Sequence, residues 1–231
     1  HFQDPRADRF LFMDKEGKVA LGIGGYVKGT MSVDMDGISD NLDFVTYDIP
    51  APMKTDMRNQ FQMDASTSRI FLKLVGADTQ IGDFTVYLES DFRGKNGHQY
   101  DLRLRQAYIQ FGGWKIGRVR TTFADAASSP PTIDFEGPSG SVSTKNTMIQ
   151  YSHQFGKHWS TAMAIEAPSA SYTTDKNISE SIKQRMPDIP TYIQYAWDGG
   201  KSHIRWSNLF RFLSYRNLVE GKNKIAFCMA T

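Results

Sequence analysis

The chain has 231 residues, 40% of them hydrophobic and 13% aromatic, with 27 basic against 25 acidic side chains. A net charge of +2 excludes the basic surplus of a general nucleic-acid binder, so no nucleic-acid partner is expected. A lone cysteine, Cys228, excludes an internal disulfide framework, and no cluster of Cys and His suggests a metal or other cofactor.

No run approaches the ~18 apolar residues of a membrane-crossing helix. Transmembrane barrels lack such runs as well, because their lipid-facing residues occupy every second position. Period-2 alternation is the dominant pattern here. In segment 21–34 one face reads Leu21, Ile23, Gly25, Val27, Gly29, Met31, Val33, and the other Gly22, Gly24, Tyr26, Lys28, Thr30, Ser32, Asp34. At ~3.3 Å per residue such a strand would exceed about 40 Å, more than a soluble sandwich needs and suited to a tilted barrel wall with an external extension. Further strands are expected at 60–75, 83–93, 100–111, 114–121, 146–155, 158–166, 188–198 and 202–215, with a stub from about 225.

The connections alternate in length. Those at 35–59, 122–145 and 167–187 are long; Gly112-Gly113, Gly156-Lys157 and Gly199-Gly200-Lys201 are tight. Tight periplasmic turns alternating with longer external loops are the signature of an up-and-down outer-membrane barrel, and a Greek-key sandwich has no reason to produce them. The fold expected is therefore all-β, an antiparallel transmembrane β-barrel. With the tight turns periplasmic, residues 1–18 become a periplasmic lead-in, whose cluster Phe10-Leu11-Phe12 could plug the barrel or line a subunit contact. Residues 19–231 become barrel wall, with 122–145 as constriction loop. The count of about ten strands falls short of the 16 to 18 of a porin, which suggests a piece of a longer barrel.

Several segments in order resemble the trimeric DcaP-like outer-membrane porins. They are Asp14-Lys15-Glu16-Gly17-Lys18 leading into Gly22-Ile23-Gly24-Gly25-Tyr26-Val27-Lys28-Gly29; Leu102-Arg103-Leu104-Arg105-Gln106-Ala107-Tyr108; Gly117-Arg118-Val119-Arg120-Thr121-Thr122-Phe123-Ala124-Asp125; Thr132-Ile133-Asp134-Phe135-Glu136-Gly137-Pro138; Arg185-Met186-Pro187-Asp188; and Arg211-Phe212-Leu213-Ser214-Tyr215-Arg216. The resemblance implies a 16-stranded barrel, a homotrimer and uptake of small, mainly anionic solutes through a channel embedded in outer-membrane lipid.

A channel performs no reaction; it needs an aqueous lumen and a constriction whose field sorts solutes. Loop 122–145 carries Pro130-Pro131, Pro138 and the acids Asp125, Asp134 and Glu136, and is expected to fold inward. Arg103 with Arg105, and Arg118 with Arg120, each share a strand face. A charged side chain facing lipid costs about 2–4 kcal/mol at mid-membrane, so these are expected to line the lumen or the aqueous rims. Basic rows opposite an acidic loop would set a transverse field, and guanidinium forks suit carboxylate solutes. Arg205 and Arg211 are further lumen candidates on a face shared with Leu209 and Leu213. Arg118 and Arg120 share theirs with Trp114 and Ile116, a mixture that a bulge or a subunit contact would resolve.

The acidic segment Asp36, Asp40, Asp43, Asp48, Asp56 lacks EF-hand spacing and reads as a solvated loop. Trp114, Trp159, Tyr172, Tyr192, Tyr195, Trp197 and Trp206 fall near strand ends, where interfacial belts place aromatics. Two other readings stay open: a structural or adhesive barrel with a plugged lumen, and a barrel hydrolase or acyltransferase. No nucleophile, base and orienting group suggest the latter; it would need His98 beside Ser90 and a carboxylate.

Overall fold

The computed structural model describes residues 11–35, 49–51, 59–94, 100–130, 132, 142, 144–168 and 175–231. Among the described residues the regular structure is fourteen strands and one short 3-10 turn. The strands are β1 (Leu11–Met13), β2 (Val19–Tyr26), β3 (Thr30–Asp34), β4 (Gln60–Asp64), β5 (Arg69–Gly76), β6 (Phe84–Asp91) and β7 (Arg103–Phe111). They continue with β8 (Trp114–Arg120), β9 (Lys145–Phe155), β10 (Trp159–Glu166), β11 (Ser179–Ser181), β12 (Ile189–Trp197), β13 (Ser202–Asn217) and β14 (Lys222–Ala230). Every pairing with a resolved register is antiparallel. Among the described residues no helix is long and apolar enough to cross a membrane, which leaves crossing by strands open.

The chain divides into two compact units. The first comprises His1–Val75, Tyr87–Arg105 and Ala126–Ser141; the second comprises Gly76–Val86, Gln106–Asp125 and Val142–Thr231. Strands β6 and β7 contribute to both.

In the first unit the long strand expected over 21–34 is broken into β2 and β3, and 60–75 into β4 and β5. The second break lies in a polar bend at 65–68. Asp64 accepts hydrogen bonds from the Ser66 amide and hydroxyl at 3.0 and 2.8 Å, and the Ser68 hydroxyl donates to the Ala65 carbonyl at 2.7 Å. The Lys28 amide then donates to Ser68 Oγ at 3.0 Å, joining the two breaks. Serine and aspartate that satisfy nearby backbone compete with the ladder, which is why strand periodicity alone misses the interruption. Beyond the breaks, β3 and β4 form their own two-stranded sheet. The lead-in residues Leu11–Met13 add β1 to the edge of β2, with Leu11 opposite Gly22.

In the second unit β7 to β10 follow as consecutive hairpins, then β12, β13 and β14. The register is unbroken from Trp114↔Tyr151 to Arg120↔Lys145 and from Trp159↔Phe155 to Glu166↔Met148. The Gly112-Gly113 turn takes φ of 50° and 87°, the double positive φ that a two-residue hairpin turn requires. Gly117 has φ 131°, and a Cβ there would strike the Ala107 carbonyl oxygen. β13 runs 16 residues. The expected stub is a full nine-residue strand, β14, and the β13–β14 connection is short.

Burial in this unit alternates most clearly along β9, where Asn146 and Met148 are buried while Thr147, Ile149 and Tyr151 are exposed. Val119, Met148 and Ala164, with Tyr108 against them, form a small apolar core on one face. The opposite face exposes Ile109, Ile116, Ile149, Ile165, Met163, Ile193, Ile204 and Trp206. A soluble protein would not spread so much contiguous apolar surface toward water.

Candidate functional site: two polar faces

The first unit carries its polar face on β2, β5, β6 and β7. Side chains alternate across a strand, so Arg69 and Phe71, then Tyr87, Glu89 and Asp91, stand opposite the exposed Ile70, Leu72 and Leu88. Glu89 and Asp91 are 6% and 1% exposed. Arg103 grips Asp91 with both prongs of its guanidinium, Nε to Oδ1 at 2.9 Å and Nη2 to Oδ2 at 2.6 Å. Arg105 spans the two acids, donating from Nε to Glu89 at 2.8 Å and from Nη1 to Asp91 at 2.7 Å. Arg69 stands 3.6 Å from Glu89, with its guanidinium over the Tyr26 ring. The Tyr87 hydroxyl donates to Glu89 at 2.8 Å. Three arginines therefore meet two carboxylates on this face.

The second unit places its polar face around the start of loop 122–145. Thr122 is 2% exposed and lies on this face. Its amide donates to Glu166 Oε1 at 2.7 Å, and its carbonyl accepts from Arg205 Nη2 at 2.7 Å. Its hydroxyl accepts from Gln150 Nε2 at 2.8 Å. Glu166, itself 1% exposed, also accepts from Asn146 Nδ2 at 2.9 Å. Its backbone exchanges two hydrogen bonds with Asp188, at 2.9 and 3.0 Å. Asp188 is held bidentately by Arg211, Nε to Oδ1 at 3.0 Å and Nη2 to Oδ2 at 2.6 Å. Further along, Asp125 meets His203 Nε2 at 2.6 Å and Arg205 Nη1 at 3.9 Å. The Arg205 guanidinium lies 3.6 Å from the centre of the Tyr192 ring, and Lys115 Nζ lies 5.4 Å from that of Tyr108. A buried ion leaves its desolvation cost unrecovered unless its lone pairs are filled, and here donors reach both oxygens of Glu166 and of Asp188.

Of the residues expected from sequence, Arg103, Arg105, Arg205, Arg211 and Asp125 occur on these polar faces. Asp134 and Glu136 lie outside the described residues, as do the acidic segment Asp36 to Asp48, Asp56, Tyr172 and His98; Ser90 is buried. Arg118 and Arg120 depart from the expected grouping. Arg118 pairs across from Thr147 and Arg120 from Lys145, in unbroken register with Trp114↔Tyr151 and Ile116↔Ile149. No bulge intervenes in that pairing, so both arginines stand on the face of Trp114 and Ile116, opposite Val119, Asn146 and Glu166. The wall acids Glu89, Asp91, Glu166 and Asp188 are not among the residues expected from sequence to line the channel. The parity of Glu89 and Asp91, two apart in a strand like Arg103 and Arg105, was the available signal.

Strands with one apolar and one charged, hydrogen-bonded face, joined up to β13 by tight turns that alternate with longer connections, define the wall of an outer-membrane β-barrel. A sequence model of the DcaP outer membrane protein family matches residues 13–192, and the chain belongs to that family. The fold is similar to the crystal structure of the outer membrane channel DcaP of Acinetobacter baumannii, with a TM-score of 0.75 and 18% identity. The match covers 94% of this chain and 59% of that one, so the chain spans a little under three fifths of that protein's length. No curated protein matches the sequence.

Proposed function

We propose that this chain forms part of the wall and the constriction of a water-filled diffusion channel for small polar or anionic solutes, carboxylates among them. The observation that carries this reading is the anchoring of residues 122–125, at the root of loop 122–145. Its first residues turn onto the polar face and are clamped there by Arg205, Glu166 and Gln150 through three different groups of Thr122. A loop anchored by its root to the inner wall narrows the lumen at a defined height. Lys115, Arg205 and the imidazole of His203 share that face with the neutral Gln150, Ser152, Ser160 and Gln194 around Asp125. The lumen-lining set is then Arg103, Arg105, Arg205, Arg211 and Asp125, joined by Lys115 and His203, with Asp134 and Glu136 contributed from further along the loop. Solute movement follows its gradient and needs no cofactor or catalytic group.

The likeness to a channel of the same family supports this reading, as do the turn lengths and the two-faced strands of this chain. In it the tight turns face the periplasm, residues 1–18 approach from the periplasmic side, residues 19–231 supply wall, and the whole protein assembles as a homotrimer in outer-membrane lipid.

Planar-bilayer recording of the full-length protein tests it. Stepwise ion currents in groups of three are expected, with a reversal potential under a salt gradient that favours anions. Replacing Lys115 and Arg205 together by glutamate should move that potential toward cations. Absence of current from correctly folded protein would sink the channel reading and favour a plugged structural barrel.

A further inference from the structure

The apolar face of the second unit carries two open grooves near its tight turns. One, of about 430 Å³, is lined by Tyr151, His153, Phe155, Thr161, Ala162 and Met163 of β9 and β10. The other, of about 350 Å³, is lined by Trp159, Ile193, Tyr195, Ile204 and Trp206 of β10, β12 and β13. Strand register makes them neighbours. Phe155, Trp159, Tyr195 and Ile204 stand on one rung, each directly opposite the next across four strands. Trp159 thus stands between Phe155 of the first groove and Tyr195 of the second, with its ring centroid 5.0 Å from that of Tyr195. From this rung the first groove reaches up to the Tyr151↔Met163 pair and the second to the Ile193↔Trp206 pair. The grooves lie about 10 Å apart at ~4.8 Å per strand, within the reach of two chains on one glycerol.

The same rung borders two turns that carry ammonium groups. Gly156-Lys157 joins β9 to β10, and Gly199-Gly200-Lys201 joins β12 to β13. The hairpins abut at His158. Its carbonyl accepts from the Ala196 amide at 2.8 Å, and its Nδ1 donates to the Ala196 carbonyl at 2.8 Å. The imidazole is thereby set against Tyr195, ring centroids 5.5 Å apart. Lys157 and Lys201 are exposed, and among the described residues neither forms an ion pair. The two turns hold these two ammonium groups against one carboxylate, Asp198. Aromatic rings with basic groups just beyond them are the arrangement of a membrane–water interface. Ammonium groups there attract anionic headgroups, while the grooves offer apolar walls to the chains below.

We propose that these grooves and turns form a binding site for one anionic diacyl phospholipid, with a chain on either side of Trp159 and the phosphate at Lys157 and Lys201. Its placement in the periplasmic leaflet rests on the orientation proposed above. The site faces away from the lumen and is independent of solute passage.

The test uses full-length protein stripped of lipid in an uncharged detergent. It is titrated with phosphatidylglycerol, phosphatidylethanolamine, lysophosphatidylglycerol and a short-chain lipopolysaccharide, and bound lipid is read by native mass spectrometry. Wild-type protein should retain phosphatidylglycerol best, and the K157Q/K201Q variant should bind it about tenfold or more weakly. Ile193→Trp, which fills the second groove, should weaken phosphatidylglycerol and leave the single-chain lipid unchanged. The lysine variant changes only exposed turn positions, which keeps the test open if Ile193→Trp does not fold. Equal phosphatidylglycerol binding by the lysine variant and wild type overturns the proposal. Equal retention of phosphatidylethanolamine overturns the anionic headgroup, and equal retention of the single-chain lipid overturns the two-chain occupant. Tighter binding of lipopolysaccharide overturns the assignment to the periplasmic leaflet. If Ile193→Trp loses its oligomeric state at unchanged lipid affinity, the grooves are a subunit contact and the proposal falls. Conductance of the lysine variant should stay at the wild-type level, so failure here and failure of the channel reading give separate signals.

Discussion

The two polar faces hold their arginines for different purposes. In the first unit Arg69, Arg103 and Arg105 are set against Glu89 and Asp91, strand against strand. In the second unit Arg205 reaches a backbone carbonyl of the loop root, while Arg211 is spent on Asp188 behind it. One network stiffens wall; the other fixes a segment that strand pairing alone cannot fix. The difference shows that shared chemistry on a barrel interior need not mean shared function. What decides is whether the partner of the guanidinium lies on a strand or on a loop.

Removing a wall acid should separate the two most sharply. Asp91→Ala leaves Arg103 and Arg105 facing each other without their common partner. Breaking a buried ion pair costs about 3–5 kcal/mol, reduced here because the Arg103 side chain is 43% exposed. Urea unfolding of the full-length protein should show that loss, and surviving channels should become more anion-selective. Unchanged stability would mean that the network contributes nothing to the wall.

Glu166→Gln should have a smaller effect of a different kind. One of the two hydrogen bonds now accepted, from the Thr122 amide or from Asn146, would be lost, at about 1–3 kcal/mol for a buried unsatisfied group. The expected outcome is faster protease cleavage within 122–145 and noisier current, with global unfolding little changed. Equal loosening by Asp91→Ala would erase the contrast between the faces.

Arg205→Lys keeps the charge but removes both the Nη2 hydrogen bond to the Thr122 carbonyl and the flat stack on Tyr192, so selectivity should persist while current noise rises. The smallest effect concerns Cys228. It pairs across from Arg211, which puts it on the polar-face parity of β14. A water-soluble, charged thiol reagent should label it and reduce single-channel current modestly. Labelling only by lipid-soluble reagents would reverse the face assignment of β13 and β14.

Strand positions over most of the chain were legible because alternation is strictly local. A residue's face follows from its neighbour's, and turn glycines mark the ends. From 114 to 166 the expected and observed strands differ by a residue at each end at most. Legibility failed where a side chain competes with the ladder, as Ser66 and Ser68 do in splitting 60–75, and where pairing rather than pattern makes the strand, as for β1 and β11. It failed for charge partners too. The acids expected to answer the arginines were sought in the loop, while Glu89 and Asp91 on the wall answer Arg103 and Arg105.

By itself, then, the amino-acid sequence determined an all-β chain of two-faced strands, the alternation of turns, and which arginines share a strand face. Tertiary structure decided which face each pair occupies and what it meets. Arg103 with Arg105 and Arg118 with Arg120 look alike as Arg-X-Arg strands, yet only the first pair meets buried carboxylates. Parity along one strand is a relative coordinate. It becomes absolute only when register with Asn146, Met148 and Glu166 shows which side is enclosed, and that register belongs to the pairing between strands rather than to the pattern of any one of them.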